Sequence, residues 1–212
     1  VPFHQWAPDV YQGSPTSITS FMAACVKLAA FGAMLRIMYV ALGGLRWDWR
    51  PMFWVIAILT MFVGVIIALT QTDVKRMLAY SSIAHAGFLL IAVIATNEQG
   101  IGGAMFYLLA YGVATIGAFG VVSLVRDSTG EATHLSSWAG LGKRSPWVAG
   151  AFTIFLLSFA GIPLTAGFIG KFAVFEAGVA GGAGWLVVVA VIASAIAVFF
   201  YGRVIVIMFF TE

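Results

Sequence analysis

The sequence predicts an all-α integral membrane protein, a polytopic bundle that includes a discontinuous helix. Three observations carry this. Of 212 residues, 62% are hydrophobic and 9% charged, with a mean hydropathy of +1.03, a balance that excludes an ordinary soluble domain. Several apolar runs exceed the ~20 residues that cross a ~30 Å hydrocarbon core. None alternates as a membrane-barrel strand does, so helices must satisfy the backbone in lipid. Finally, the run Trp147 to Ala177 is interrupted by Gly161-Ile162-Pro163. Proline donates no hydrogen bond, and such a break persists only where it is buried or lines a wet cavity.

Residues 1–16 carry Pro2, Pro8, Gly13 and Pro15 and read as a partly unwound segment, because that density of breakers opposes a helix. The first span covers about 18–42, with Thr16 or Ser17 placed to cap it. A polar loop with Arg46, Asp48 and Arg50 leads to a second span at 53–71. A turn carrying Asp73, Lys75 and Arg76 precedes the third, at 77–96, which contains Ser81, Ser82 and His85. The fourth covers 101–125, and the longest polar segment, 126–146, is expected to hold a short surface helix. The stretch 147–177 is 31 residues long, too long for one straight span, and is expected to break near 161–163 with Lys171 on its second half. The last span is 185–210, and Trp147 and Trp185 mark membrane interfaces.

Loop lysines and arginines divide five (Lys75, Arg76, Arg126, Lys143, Arg144) against two (Arg46, Arg50). The positive-inside rule puts the first group, and the end of the chain, in the cytoplasm. The net charge of +3 is thus a topology signal, and no nucleic-acid partner is expected. The single cysteine, Cys25, excludes an intrachain disulfide. No signal peptide is visible and the chain opens at Val1 inside a motif, so it is expected to be part of a longer protein.

Lys27 is the most informative residue. It lies about nine residues, ~14 Å at 1.5 Å per residue, from the nearer end of its span. A central lysine costs at least ~2.5–3.5 kcal/mol on insertion scales, and this one is too deep to snorkel easily. Lys171 is a second deep lysine, for which two readings stand: a functional group beside the helix break, or a structural one that snorkels or pairs with Glu176. His85 is either a relay or a helix–helix hydrogen bonder, and His4 either a relay or a brace for the unwound segment. No spacing fits a metal site, a nucleophile triad, a phosphate loop or a dinucleotide fingerprint. What remains are groups that can lose and regain protons inside a bilayer, the signature of a proton or ion path.

Three segments carry a specific resemblance: Val1-Pro2-Phe3-His4-Gln5-Trp6-Ala7-Pro8-Asp9-Val10-Tyr11-Gln12-Gly13-Ser14-Pro15, the run Thr72 to His85, and Gly161 to Phe172. All three resemble the antiporter-like membrane subunits of respiratory complex I. Sister subunits of the L and M types typically carry Asp-Ala-His where this chain has Asp9-Val10-Tyr11, and the M type a glutamate at Lys171. The wording is therefore most similar to the N-type branch, counterparts of mitochondrial subunit 2.

The resemblance implies an inverted-repeat antiporter-like fold of about fourteen spans, of which this chain would hold the end of one repeat and most of the next. It implies proton transfer by Lys27 in the connecting part, Lys171 near the exit side, His4 beside the helix break, and His85 as relay. It places the chain in the bacterial inner (plasma) membrane among a neighbouring antiporter-like subunit and small membrane subunits. NAD, FMN, iron–sulfur clusters and quinone would belong to partner subunits, with no cofactor in this chain. A non-transporting structural subunit and a cation–proton antiporter subunit are the competing readings.

Overall fold

The computed structural model describes residues 2–127 and 130–211; Val1, which opens the first motif, and Glu212 lie outside it. The chain is almost wholly helical. A short helix α1 (Trp6–Gly13) precedes α2 (Thr16–Ala41), α3 (Arg46–Thr70), α4 (Val74–Ala95) and α5 (Glu98–Leu124). Then come a small hairpin of β1 (Arg126–Asp127) and β2 (Gly130–Glu131), a short helix α6 (Leu141–Arg144), the half-helices α7 (Pro146–Ala160) and α8 (Ala166–Ala180), and α9 (Gly184–Phe210). In the hairpin Arg126 pairs with Glu131. Among the described residues five helices, at Thr16–Ala41, Gly43–Thr70, Val74–Ala95, Glu98–Leu124 and Gly184–Phe210, are long and apolar enough to cross a membrane.

Two expectations need correction. Residues 1–16 are not simply unwound, because α1 occupies the middle of them. Pro8 falls in the first turn of α1, where a backbone N–H has no intrahelical acceptor, so the proline forfeits nothing. The irregular backbone is confined to the turn before α1 and to Ser14-Pro15. Likewise the polar stretch Arg46–Arg50 is the first turn and a half of α3, which starts at Arg46 rather than residue 53. Trp49 anchors this start by donating to the Leu42 carbonyl (3.0 Å), and Arg50 by donating to Gly181 (2.7 Å).

The central element is α4, buried along nearly its whole length and packed against α1, α3, α5, α8 and α9. Lipid gives helices no hydrophobic drive to associate, so close packing of small residues must hold them. At Gly64 of α3 a Cβ would lie 2.6 Å from the Ala84 nitrogen, so only glycine allows α3 this close to α4. The segment between α5 and α7 is more than surface structure. Trp138 is fully buried, donates to the Ala132 carbonyl (2.7 Å) and packs on Phe152.

The break between α7 and α8 has a definite construction. Gly161 adopts φ +77°, a conformation that favours glycine, and ends α7. The Ile162 N–H bonds the Leu157 carbonyl (3.1 Å) and the Gly161 N–H the Ser158 carbonyl (3.1 Å), a Schellman closure. Thr165 then caps α8 by accepting from the Phe168 N–H. This closure leaves the carbonyls of Phe159 and Ala160, the last two of α7, for another donor.

Candidate functional site

That donor is Lys171. From the second turn of α8 its side chain runs back toward the N-terminal end of its helix, as long helical side chains do. It donates to Phe159 (2.8 Å), Ala160 (3.0 Å) and the Ser194 hydroxyl of α9 (2.9 Å). All three ammonium protons are thereby used without a carboxylate, at the end of α7 where the helix dipole favours a cation. The side chain neither snorkels nor reaches Glu176: Lys171 is 4% exposed, while Glu176 faces outward. The hydroxyl keeps the site hydrogen-bonded in either charge state. Beside an ammonium Ser194 accepts and can turn its own proton to the Ala160 carbonyl (3.4 Å); beside a neutral amine it can donate.

Lys27 repeats this chemistry on α2. A π-helical turn, Met22–Val26, immediately precedes it, a local irregularity that often marks functional positions. Its ammonium donates to the hydroxyl (2.6 Å) and the carbonyl (2.7 Å) of Ser82 on α4. Again a serine that can accept or donate is the side-chain partner. The ammonium also lies 4.4 Å from the Tyr111 ring centre.

His85 stands between the two lysines, fully enclosed. Its Nδ1 pairs with the Tyr107 hydroxyl and its Nε2 with the Tyr201 hydroxyl (3.2 Å), which in turn pairs with Ser81. Each partner is a hydroxyl, so either tautomer is satisfied by rotating O–H bonds. No hydrogen bond joins His85 to either lysine among the described residues; aromatic rings intervene. Tyr111 touches both Lys27 and His85 (ring centres 4.7 Å apart for the latter), and Phe88 touches both His85 (5.7 Å) and Lys171 (5.0 Å).

The lysines open onto separate cavities. One, of ≈ 290 Å³, is lined by Lys27, Ser82, Tyr11, Thr60 and His4. The other, of ≈ 360 Å³, is lined by Lys171, Ser194 and the break residues Ala160 to Ile162. His4 thus joins the Lys27 cavity from the turn before α1, and its Nδ1 is buried with no hydrogen-bond partner among the described residues. Sequence reasoning brought out Lys27, Lys171, His85 and His4 but missed Tyr107, Tyr111, Tyr201 and Ser194. A signal existed for two of them: Tyr107 and Tyr111 stand four apart on one face of an otherwise apolar helix. Among the described residues no cluster of three His, Cys, Asp or Glu side chains is placed to hold a metal.

At the end of α4 where Lys75 and Arg76 sit, these residues do more than mark topology. Lys75 is buried, paired with Glu131 (3.0 Å) and bonded to the Ser14 carbonyl (3.0 Å); Thr16 donates to the same carboxylate. Arg76 reaches Asp9 (2.6 Å) and Gln12 (3.0 Å). The joint between α1 and α2 is therefore fastened to the hairpin. Burial pushes the Glu131 carboxyl up, but the Thr16 hydrogen bond and the Lys75 ammonium outweigh it and hold the group below the ordinary value. A carboxyl lowered on folding stabilises above its unfolded pKa and loses that contribution as pH falls through its folded one. Thermal unfolding of the full-length protein should show Glu131→Gln less stable than wild type at pH 7, with the gap closing below about pH 4. A gap that persists unchanged to lower pH would overturn this.

Comparison with known proteins places this geometry. Residues 1–197 match the family described as NADH:quinone oxidoreductase/Mrp antiporter, TM. The chain is 68% identical over 212 residues to NADH-quinone oxidoreductase subunit N 3 of Streptomyces griseus and 68% identical to subunit N of Rhodococcus opacus. It spans 38% and 39% of those relatives' lengths, and all of its own. In respiratory complex I from Thermus thermophilus with bound aureothin, one chain superposes with a TM-score of 0.86 at 38% identity, over 99% of this chain and 46% of that one. A chain of the Mrp complex from a Dietzia species gives 0.90 at 26% identity, over 100% and 39%. These likenesses bear out the resemblance drawn from the three motifs, its N-type branch included. The chain belongs to the transmembrane family of NADH:quinone oxidoreductase and Mrp antiporter subunits.

Proposed function

We propose that the chain is the proton-conducting part of a membrane-arm subunit of a bacterial NADH:quinone oxidoreductase, with Lys27, His85 and Lys171 as successive proton holders. One observation carries the reading: helix α4 presents Ser82 and His85 between two lysines that open onto separate cavities. Each lysine keeps a hydroxyl partner in either charge state, so gaining or losing a proton costs a rotated O–H bond rather than a buried unpaired group. The Tyr111 and Phe88 rings interrupt the route, so transfer requires the rings to yield or water to pass them. At rest they prevent a leak. His4 supplies an acceptor at the Lys27 cavity.

Electron transfer belongs to neighbouring subunits, which hold NAD, FMN, iron–sulfur clusters and quinone. This chain contributes charge movement, and each proton carried outward works against ~2.3 kcal/mol per 100 mV. Its partners are a neighbouring antiporter-like subunit, small membrane subunits and lipid, in the bacterial plasma membrane with residue 211 on the cytoplasmic side. The similarity to the Mrp complex supports a second reading, cation–proton exchange.

The test is redox-driven proton uptake by proteoliposomes holding the whole complex, with His85→Leu in the full-length subunit. Uptake should fall about tenfold or more, since a positioned proton-transfer group contributes ~10²–10⁴-fold. The complex should still assemble. Wild-type uptake at an unchanged proton-to-electron ratio would remove His85 from the path. Uptake that depends on sodium would favour the exchange reading.

A further inference from the structure

The opposite end of α3 holds a pocket that proton transfer does not use. It has a volume of ≈ 410 Å³ and is lined by Trp47, Arg50, Pro51, Trp54 and the Gly182 turn. Residues 47, 50, 51 and 54 recur at helical spacing, so one face of the first two turns of α3 builds the wall. Arg46 lies 5.5 Å from the Trp47 ring centre, which holds a second guanidinium at the same helix end. Arg50 spends one N–H on the Gly181 carbonyl and makes no other hydrogen bond among the described residues. Neither arginine has a carboxylate within 4 Å among the described residues.

These are also the two arginines on the side of the membrane that the positive-inside rule keeps poor in positive charge. Topology therefore gives no reason for them. Trp47 is 73% exposed, and tryptophans at a span end sit at headgroup depth. The pocket combines one guanidinium in its wall, Arg50, and a second, Arg46, beside the Trp47 ring, whose planar forks suit phosphate oxygens, with an apolar wall descending toward the hydrocarbon. A soluble anion would need only the arginines, whereas a molecule with a phosphate at one end and acyl chains at the other uses both parts.

We propose that this pocket is a binding site for an anionic phospholipid, its phosphate held by Arg46 and Arg50 and its glycerol and upper acyl chain against Trp47, Pro51 and Trp54. The site lies apart from the lysine cavities and does not depend on the proton-transfer reading. It is tested by native mass spectrometry of the full-length subunit, delipidated and titrated with phosphatidylglycerol, phosphatidylcholine or inorganic phosphate. Wild type should retain phosphatidylglycerol in preference to phosphatidylcholine, and inorganic phosphate should not compete. Arg46→Gln should lower retention roughly fivefold, the effect of one basic residue at an anionic surface, and Arg46→Gln with Arg50→Gln should lower it further. Because Arg50 also anchors Gly181, Trp47→Ala serves as a second variant that spares that anchor, and it should lower retention too. Equal retention of the two lipids by wild type, or unchanged retention in both Arg46→Gln and Trp47→Ala, would overturn the assignment. Competition by inorganic phosphate would replace the lipid with a free anion.

Discussion

Lys27→Met in the full-length subunit should abolish redox-driven proton uptake while the complex still assembles. The substitution is close in volume and removes only the ammonium. Ser82, the residue left behind, keeps a hydroxyl that can turn to the backbone of its own helix, and methionine removes a buried charge together with its two bonds, so the fold is expected to survive. The functional cost is of another order. The Lys27 cavity is lined by groups that accept or share a proton (His4, Tyr11, Ser82), and Lys27 is the one lysine or arginine among its described lining residues. Without it uptake should fall by about a hundredfold or more, with electron transfer falling alongside if the two processes are tightly coupled. Proteoliposome uptake, read beside the NADH:quinone rate and the yield of assembled complex, decides the matter. Normal uptake at a normal proton-to-electron ratio would sink the assignment and favour a structural subunit.

The second large effect is expected at Gly167→Ala. Gly167 lies in the first turn of α8, pressed against the last turn of α7, and its N–H meets the Ser158 hydroxyl (3.2 Å). A methyl there would overlap the Ser158 carbonyl oxygen and lie 2.7 Å from its carbon. Both neighbours are backbone, so relief requires the two half-helices to separate. Overpacking of this kind costs ~1–3 kcal/mol. Separation also pulls Lys171 from two carbonyls that close the break, each charged bond worth ~1.5–3 kcal/mol. A total of at least ~4 kcal/mol is a large share of the ~5–15 kcal/mol that holds a typical domain. Thermal unfolding of the full-length subunit should therefore show a marked fall or failure to assemble. Gly120→Ala, at a helical position with open space around the new methyl, should be neutral or slightly stabilising. Wild-type stability for Gly167→Ala would mean that the half-helices separate freely.

Much of this site could be read from the chain because membranes make polar residues conspicuous. A lysine at position 27 or 171 has no ordinary reason to be there, and Gly161-Pro163 announces a break wherever it falls. The tyrosines escaped notice because a tyrosine in an apolar helix looks like packing until its hydroxyl is placed beside a histidine. Ser194 escaped for a similar reason, since small hydroxyl residues are common in packed membrane helices. The first turn of α3 was misread because Arg46, Asp48 and Arg50 look like a loop. The anchor of Arg50, the Gly181 carbonyl, comes from a turn 131 residues away along the chain. The charged fastening of Lys75 was hidden in the same way: Glu131 is 56 residues away along the chain.

The closure of the α7–α8 break has a mechanical consequence. Lys171 is the donor for both carbonyls that the Schellman turn leaves open, so its proton count sets how many of its contacts are strong. An ammonium holds Phe159, Ala160 and Ser194 by three charge-assisted bonds; a neutral amine would keep its two hydrogens for the carbonyls and accept from Ser194, in weaker bonds and with no charge to oppose the dipole of α7. The joint it closes also holds Leu164 at φ +77°. On the proposed proton-transfer reading, loss of that proton would weaken all three contacts across the joint at once. The same ammonium also touches Ser194 of α9 and the Phe88 ring of α4, so a change in its charge would be felt by four helices at one point.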